Sequence, residues 1–329
     1  MMLLDVRNLT VQLKTESLDV SAIDKMSLSM RDGSIHALVG ETGSGKSLFA
    51  RALTGTLSDK WHVKADRFFW QGEDLLRKSE EQRRQIISKD IAMIFQEPKL
   101  SLDPTARIGE QIEEVIPKSD FTGSFWTRRQ ERKTLVNKLL LKVGIKHYDF
   151  CSNSYAHELS EGLCQKVNIA MAIVRHPKLL IADEPTDAME STTKIQILRL
   201  LQKLNESKDM SVLLITHDLE SVVQYADEMT LLYNGQSVES GSVKRLLKRP
   251  FHPYTETLFK SIPKFNTEIA PKSRLETLKG STPPLQHLPI GCRLGPRCPR
   301  AQKECVVTPK SVKYKGQVFS CHYPINMES

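Results

Sequence analysis

The chain has 329 residues, 40% of them hydrophobic and 26% charged, enough for two domains and ordinary for a globular protein. No run approaches the ~20 apolar residues of a membrane-spanning helix, which excludes an integral membrane helix. The formal net charge of +8 suits an anionic partner, whether nucleotide, nucleic acid or the inner membrane face, and equally suits a surface that is basic throughout.

In chain order, Met1-Met2-Leu3-Leu4-Asp5-Val6-Arg7 enters a strand-like pattern at once, without the layout of a signal peptide, and places the chain in the cytosol. Residues 1–35 alternate apolar and polar positions and predict antiparallel strands. Residues 35–39 read as a buried strand, and 48–53 as the start of a helix. Strands and helices mix to about residue 98, with a charged helix over 79–88 and another strand within 91–98. From about 105 to 175 the pattern is mostly helical, with helices over 108–116, 134–143 and 166–174. Buried strands follow at 179–182 and 212–215, separated by an amphipathic helix over 192–204. Strand–helix–strand alternation implies an α/β fold with a mostly parallel sheet. Asn234-Gly235 between Leu231-Leu232-Tyr233 and Gln236-Ser237-Val238 predicts a hairpin. Beyond about 250, Pro250, Pro253, Pro263, Pro271, Pro283, Pro284 and Pro289 mark an irregular extension.

Gly40-Glu41-Thr42-Gly43-Ser44-Gly45-Lys46-Ser47 fits G-x-x-x-x-G-K-[ST] between a predicted strand and helix, the context in which this loop cradles phosphate. Its glycines let backbone N–H groups close around phosphate oxygens, and the helix N-terminus adds partial positive charge. Lys46 is expected on the β- and γ-phosphates and Ser47 on Mg²⁺. The strand over 179–182 leads into Asp183 and Glu184. Asp183 is expected in the Mg²⁺ shell beside Ser47, and Glu184 is placed to polarise a water attacking the γ-phosphate. His217 follows another strand, where open α/β sheets bind ligands. The strand within 91–98 ends in a polar residue, Gln96, whose amide can bridge Mg²⁺ or its water. Ser160 and Gly162 stand before a helix and read either as a second phosphate-facing N-terminus or as a plain N-cap. Cys151 and Cys164 stand apart from Cys292, Cys298, Cys305 and Cys321, whose spacings are looser than the tight pair of a structural zinc site.

The order of these motifs resembles that of ABC-transporter ATPases, over roughly residues 1–250. The resemblance implies a P-loop ATPase with a RecA-like sheet, an antiparallel β subdomain and a helical subdomain at about 105–175. It implies a head-to-tail dimer with each ATP sandwiched between two subunits. Lys46, Ser47, Gln96, Asp183, Glu184 and His217 would serve one site, and Ser160, Glu161 and Gly162 the partner's. Pro250-Phe251-His252-Pro253-Tyr254-Thr255 and Gly291-Cys292-Arg293-Leu294-Gly295-Pro296-Arg297-Cys298, with Cys305 and Cys321, resemble the extension of oligopeptide/dipeptide/nickel importer ATPases. That implies a C-terminal region over 251–329 whose four cysteines hold a [4Fe–4S] cluster, with Zn²⁺ or metal-free thiols as the alternatives. It also implies ATP and Mg²⁺, a second ABC ATPase subunit in a heterodimer, two transmembrane permease subunits, and a periplasmic binding protein. The cargo would be peptide, antimicrobial or short cationic peptides included. The place would be the cytoplasmic face of a bacterial inner membrane, with segment 96–117 receiving a permease helix.

Two other classes compete. A soluble ABC ATPase acting on nucleic acid or ribosomes usually carries two cassettes or a coiled-coil insertion, and neither is found here. A non-catalytic redox regulator would not need Glu184 and His217. The chain departs from the family in three places. Glu161-Gly162 stands for Gly-Gly, and Asp187-Ala188-Met189-Glu190 ends in Glu where Asp is usual; both predict two unequal ATP sites. Residues 8–30 hold no aromatic, so adenine is expected on Val20 or Ile23.

Overall fold

Alternating apolar positions make Met2–Leu13 and Val20–Arg31 a long antiparallel pair, with Leu4, Val6, Leu9, Val11, Ile23, Met26, Leu28 and Met30 turned inward. Trp61–Lys64 and Arg67–Trp70 pair with Met2–Leu13, and Glu73–Asp74 closes the edge. The computed structural model describes residues 2–14, 20–117, 125–207, 210–262 and 278–327. They divide into two units, residues 1–79 with 215–329, and residues 80–214.

The first unit has a second sheet. Ile35–Val39, every residue buried, runs parallel to Glu228–Tyr233. Glu228–Tyr233 turns through Asn234-Gly235 into the antiparallel strand Gln236–Ser242. Both turn residues have positive φ, 45° and 80°, as a two-residue hairpin of this hand requires. The helix Lys46–Thr54 follows the phosphate loop and buries Phe49, Ala50 and Leu53.

The extension beyond residue 250 is more ordered than its prolines suggest. Pro253–Lys260 is helical, and the hairpin Val312–Tyr314/Gln317–Phe319 adds to the edge of Gln236–Ser242. Phe251 packs against Phe319 and Tyr314, with ring centroids 5.1 and 5.4 Å apart. The strand pairing joins Glu239 to Phe319, eighty positions apart, which local periodicity does not register. Pro263 and Pro271 lie outside the described residues.

In the second unit, Ile91–Ile94 runs parallel to Leu179–Asp183, with Ser211–Thr216, through which the division passes, next in order. Among the described residues, six α-helices accompany them: Glu80–Asp90, Ile108–Val115, Phe125–Lys142, Tyr148–Asn153, Glu161–Ile173 and Ser191–Glu206. Phe125–Lys142 starts well before the expected 134–143. Its first turns are rich in Arg, Gln, Glu and Lys, good helix formers that make no apolar stripe. Glu161–Ile173 likewise starts five residues before the expected 166–174, with Ser160 as its N-cap. No helix among the described residues is long and apolar enough to cross a membrane.

Buried polar groups tie the extension down. Glu239, 1% exposed, accepts the backbone N–H groups of Phe251 and His252 at 2.7 and 3.0 Å. The His252 Nδ1 accepts the Tyr254 N–H at 3.1 Å and caps Pro253–Lys260. Burial drives the His252 imidazole down to about 3 from its ordinary 6.5. Between those values the unfolded chain binds the extra proton, so stability falls as pH drops from 6.5 towards 3. His252→Asn, which keeps an acceptor for the Tyr254 N–H, should remove on the order of 2 kcal/mol of the loss between pH 6.5 and 5. Urea unfolding at the two pH values checks this. Burial pushes the Glu239 carboxyl up, so that group titrates in the opposite sense and is common to both proteins.

Candidate nucleotide site

The phosphate loop, residues 40–47, leaves the buried strand Ile35–Val39 and enters the helix Lys46–Thr54. Gly40 is required by contact: a Cβ there would lie 2.2 Å from the Leu232 carbonyl oxygen and 2.7 Å from Ser44 Oγ. Lys46, 6% exposed, folds back so that its Nζ donates to the Gly40 and Glu41 carbonyls at 2.8 and 3.2 Å. The loop is thereby closed into a ring with an ammonium at its centre. Ser44 Oγ is buried without a hydrogen-bond partner, a donor that a phosphate oxygen would satisfy. Ile23 is fully buried beneath Gly45 and Val20 is half-buried.

Groups from outside the motif support the loop. The Gly235 N–H donates to the Ser44 carbonyl at 2.7 Å, and the Gly235 carbonyl accepts the Asp24 N–H at 2.9 Å. A Cβ at Gly235 would lie 2.0 Å from the Ala22 carbonyl oxygen. The C-terminal region reaches the loop as well. Arg297 Nη1 lies 2.9 Å from Glu41 Oε2, Thr282 donates to the same oxygen, and the Tyr254 hydroxyl accepts the Glu41 N–H at 3.2 Å. Arg293, 7% exposed, donates to the Asn234 and Ser21 carbonyls. Arg293, Arg297, Thr282 and Tyr254 were not legible as loop contacts. Tyr254 lies in the Pro250–Thr255 element and both arginines lie within Gly291–Cys298, stretches that the resemblance marks without saying what they touch.

In the second unit, Asp183 ends its strand buried, and Glu184 follows at 8% exposure with a left-handed φ of 45°. A non-glycine residue in that region is strained, and such strain gathers at functional sites. The Gln165 amide donates to the Pro185 carbonyl at 2.9 Å, joining the helix Glu161–Ile173 to the loop after Glu184. Gln96 is exposed, and its Nε2 donates to Asp187 Oδ2 at 2.9 Å. Ser160 Oγ accepts the Leu163 N–H at 3.4 Å, so the N-cap reading is satisfied in place. Glu161 occupies the exposed first helical position, where a carboxylate suits the helix dipole. Gly162 packs on Thr193, whose Cγ2 would lie 2.4 Å from a Cβ. His217, in the first unit, is exposed between Ser211–Thr216 and the N-cap Asp218.

All six cysteines are free thiols. Cys292, Cys298, Cys305 and Cys321 line one cavity of about 10 Å³, room for a single water. Burial raises the Cys292 and Cys298 thiols and pushes Cys321 up to about 11. Among the described residues, no three or more His, Cys, Asp or Glu side chains are gathered so as to hold a metal ion. The four-cysteine metal cluster that the resemblance implies is therefore not assembled as a ligand set among the described residues. A free thiol packs as a small hydrophobe, and sequence spacing does not fix where its sulfur points. The donor chemistry still fits an iron–sulfur group, which Cys₄ thiolates hold.

Glu190 is the N-cap of Ser191–Glu206, yet its side chain makes no capping bond. Its extra methylene carries the carboxylate past the N–H groups that an Asp would reach. Glu190→Asp should stabilise the chain by about 0.5–1 kcal/mol, measured by chemical denaturation.

A family model described as ABC transporter matches residues 23–187, and one described as oligopeptide/dipeptide transporter, C-terminal region, matches residues 238–305. The peptide transport system ATP-binding protein SapD of Escherichia coli O6:H1 is 49% identical over 328 residues, covering 100% of this chain and 99% of that protein. SapD of Haemophilus influenzae is 43% identical, covering 99% and 94%. The dipeptide transport ATP-binding protein DppD of Escherichia coli K12 is 40% identical, covering 99% and 98%. Among solved structures, the ATP-binding cassette MJ0796, a dimer in a post-hydrolysis state with ADP and Pi, aligns with a TM-score of 0.62 at 22% identity, over 73% of this chain and 99% of that one. The chain belongs to the ATP-hydrolysing, ATP-binding subunits of ABC transporters and carries the C-terminal region of their oligopeptide/dipeptide group.

Proposed function

We propose that this ATPase drives peptide uptake of the kind named for SapD, passing the free energy of ATP hydrolysis to two transmembrane permease subunits. The observation that carries the reading is similarity along the whole chain to SapD together with the matched C-terminal region. In this reading residues 1–250 are the nucleotide-binding domain and 251–329 the importer extension. The protein sits on the cytoplasmic face of the inner membrane, beside a second, non-identical ATPase subunit, and a periplasmic binding protein delivers the peptide.

The roles of the residues follow from their chemistry. Lys46 and the backbone of residues 40–47 bind the β- and γ-phosphates. Ser47, Asp183 and the Gln96 side-chain oxygen would hold Mg²⁺, which supplies charge to the leaving phosphates; the Gln96 nitrogen is already engaged by Asp187. Glu184 orients and polarises the attacking water, and His217 holds the γ-phosphate. Ser160, Glu161 and Gly162 face the nucleotide of the partner subunit. Glu161 places a carboxylate where glycine is usual, which makes the two ATP sites of the dimer unequal.

We assign the four cysteines to a [4Fe–4S] group rather than Zn²⁺ on their residue types and sequence spacing: Cys₄ thiolates hold such a cluster, and the tight cysteine pair of a structural zinc site is missing from their spacing. Anaerobic purification of the full chain should yield about four iron atoms per chain and the visible absorption of a cluster. Zinc, or no metal, would overturn that assignment.

Glu184→Gln should retain MgATP binding and cut ATP turnover by about a hundredfold or more in the complex with the permease subunits. Peptide uptake into proteoliposomes should be lost with it. Unchanged turnover would remove Glu184 from the mechanism, and ATP turnover without any peptide dependence would remove the transport reading.

A further inference from the structure

Glu41 presents an electrostatic problem inside the phosphate loop. A carboxylate on the loop that must take up a triphosphate opposes binding unless its charge is offset, because like charges in a partly buried site repel strongly. The structure supplies the offset from the far end of the chain. Arg297, with its side chain 9% exposed, puts Nη1 2.9 Å from Glu41 Oε2 and 3.2 Å from the Tyr233 hydroxyl, with its guanidinium 5.7 Å from the Tyr233 ring centroid. Thr282, which also accepts from Arg297 at 3.3 Å, donates to the same carboxylate oxygen. Burial pushes the Tyr254 hydroxyl well above its ordinary range, so the acceptor of the Glu41 N–H stays neutral.

The arginine is firmly mounted. It ends the short turn Gly295–Arg297, whose backbone is tied by Gly295 N–H to the Cys292 carbonyl and by Cys298 N–H to the Gly295 carbonyl. Cys292 N–H in turn donates to the Cys305 carbonyl. On the same stretch Arg293 holds the Asn234-Gly235 turn, and Gly235 holds Ser44. Two arginines from one extension therefore grip the loop, one directly through Glu41 and one through the turn beneath it.

We propose that Arg297 is a positioning residue for nucleotide: by pairing with Glu41 it neutralises and fixes the phosphate loop, so that the C-terminal region sets the loop's affinity for triphosphate. This rests on the reading of residues 40–47 as the nucleotide site. The role is electrostatic, so it grows with the charge of the ligand. A Gln at 297 leaves the Glu41 carboxylate unpaired beside the phosphates. A Gln at 41 in that background removes the charge that needed pairing.

The test is MgATP and MgADP binding to the full chain, wild type against R297Q, R297K and the double variant E41Q/R297Q, with thermal melts to confirm folding. R297Q should raise the Kd for MgATP by about tenfold, equivalent to about 1.4 kcal/mol, and raise that for MgADP less. R297K should lose less than R297Q, and E41Q/R297Q should recover most of the loss. A purely structural arginine would weaken both nucleotides alike and would not be rescued at position 41. Should R297Q fail to fold, Thr282→Val, which takes one donor from the same carboxylate, should still weaken MgATP binding by about threefold. An R297Q Kd within twofold of wild type, equal losses for both nucleotides, no recovery in the double variant, or an unchanged Thr282→Val would overturn the proposal. Wild-type protein whose MgATP binding survives Lys46→Ala would instead overturn the reading of the loop.

Discussion

The close approach of Gly40 to the Leu232 carbonyl is the constraint on which the nucleotide site depends. The phosphate loop can leave Ile35–Val39 at the right height only because nothing occupies the Cβ position there. Once the backbone is that near the adjoining strand, the next turn along, Asn234-Gly235, reaches the loop and donates to Ser44. Gly235 in turn lies almost against the Ala22 carbonyl, so Val20–Arg31 is drawn under the same turn. A ring closed by Lys46 on its own carbonyls then holds positive charge in a fixed place before any phosphate arrives. Such preorganisation spares the reorganisation that binding would otherwise require.

Charge placement in the first unit follows the same economy. Glu239 and His252 are buried, but each is matched: the carboxyl accepts two backbone N–H groups and the imidazole caps a helix. Arg293 and Arg297 are nearly buried and spend their donors on carbonyls and on Glu41. Such groups contribute less to net stability than to fixing one arrangement, because an apolar replacement could pack as well but would not select a register. The extension is thus an integral part of the unit that carries the phosphate loop, anchored by strand pairing at Gln236–Ser242 and by polar contacts at the loop.

Much of this was legible in the residues, for physical reasons that differ from place to place. The strand before Gly40, the strand before Asp183 and the Asn234-Gly235 hairpin announce themselves because burial on both faces and positive φ each demand particular residue types. The phosphate loop is short and local, so spacing alone marks it, whereas the segment at Ser160 reads from spacing alone equally as a plain N-cap. The start of Phe125–Lys142 was missed because solvent-facing turns carry no apolar stripe. The ordered hairpin at Val312–Phe319 and the grip of Arg297 on Glu41 were missed because both join distant parts of the chain. The cysteines mark the limit of resemblance as evidence: their stretch folds them around one cavity, but no metal-ligand set is formed among the described residues.

The central claim is that triphosphate is held by residues 40–47 in the form fixed by Gly235 and the C-terminal region. A crystal structure of the full chain with Mg²⁺ and a non-hydrolysable ATP analogue tests it most directly. The account predicts phosphate oxygens within hydrogen-bond distance of Ser44 and Lys46, with Arg297 still paired to Glu41 and Gly235 still bonded to Ser44. Phosphates bound away from this loop, or a loop that binds them only after releasing Arg297, would contradict it.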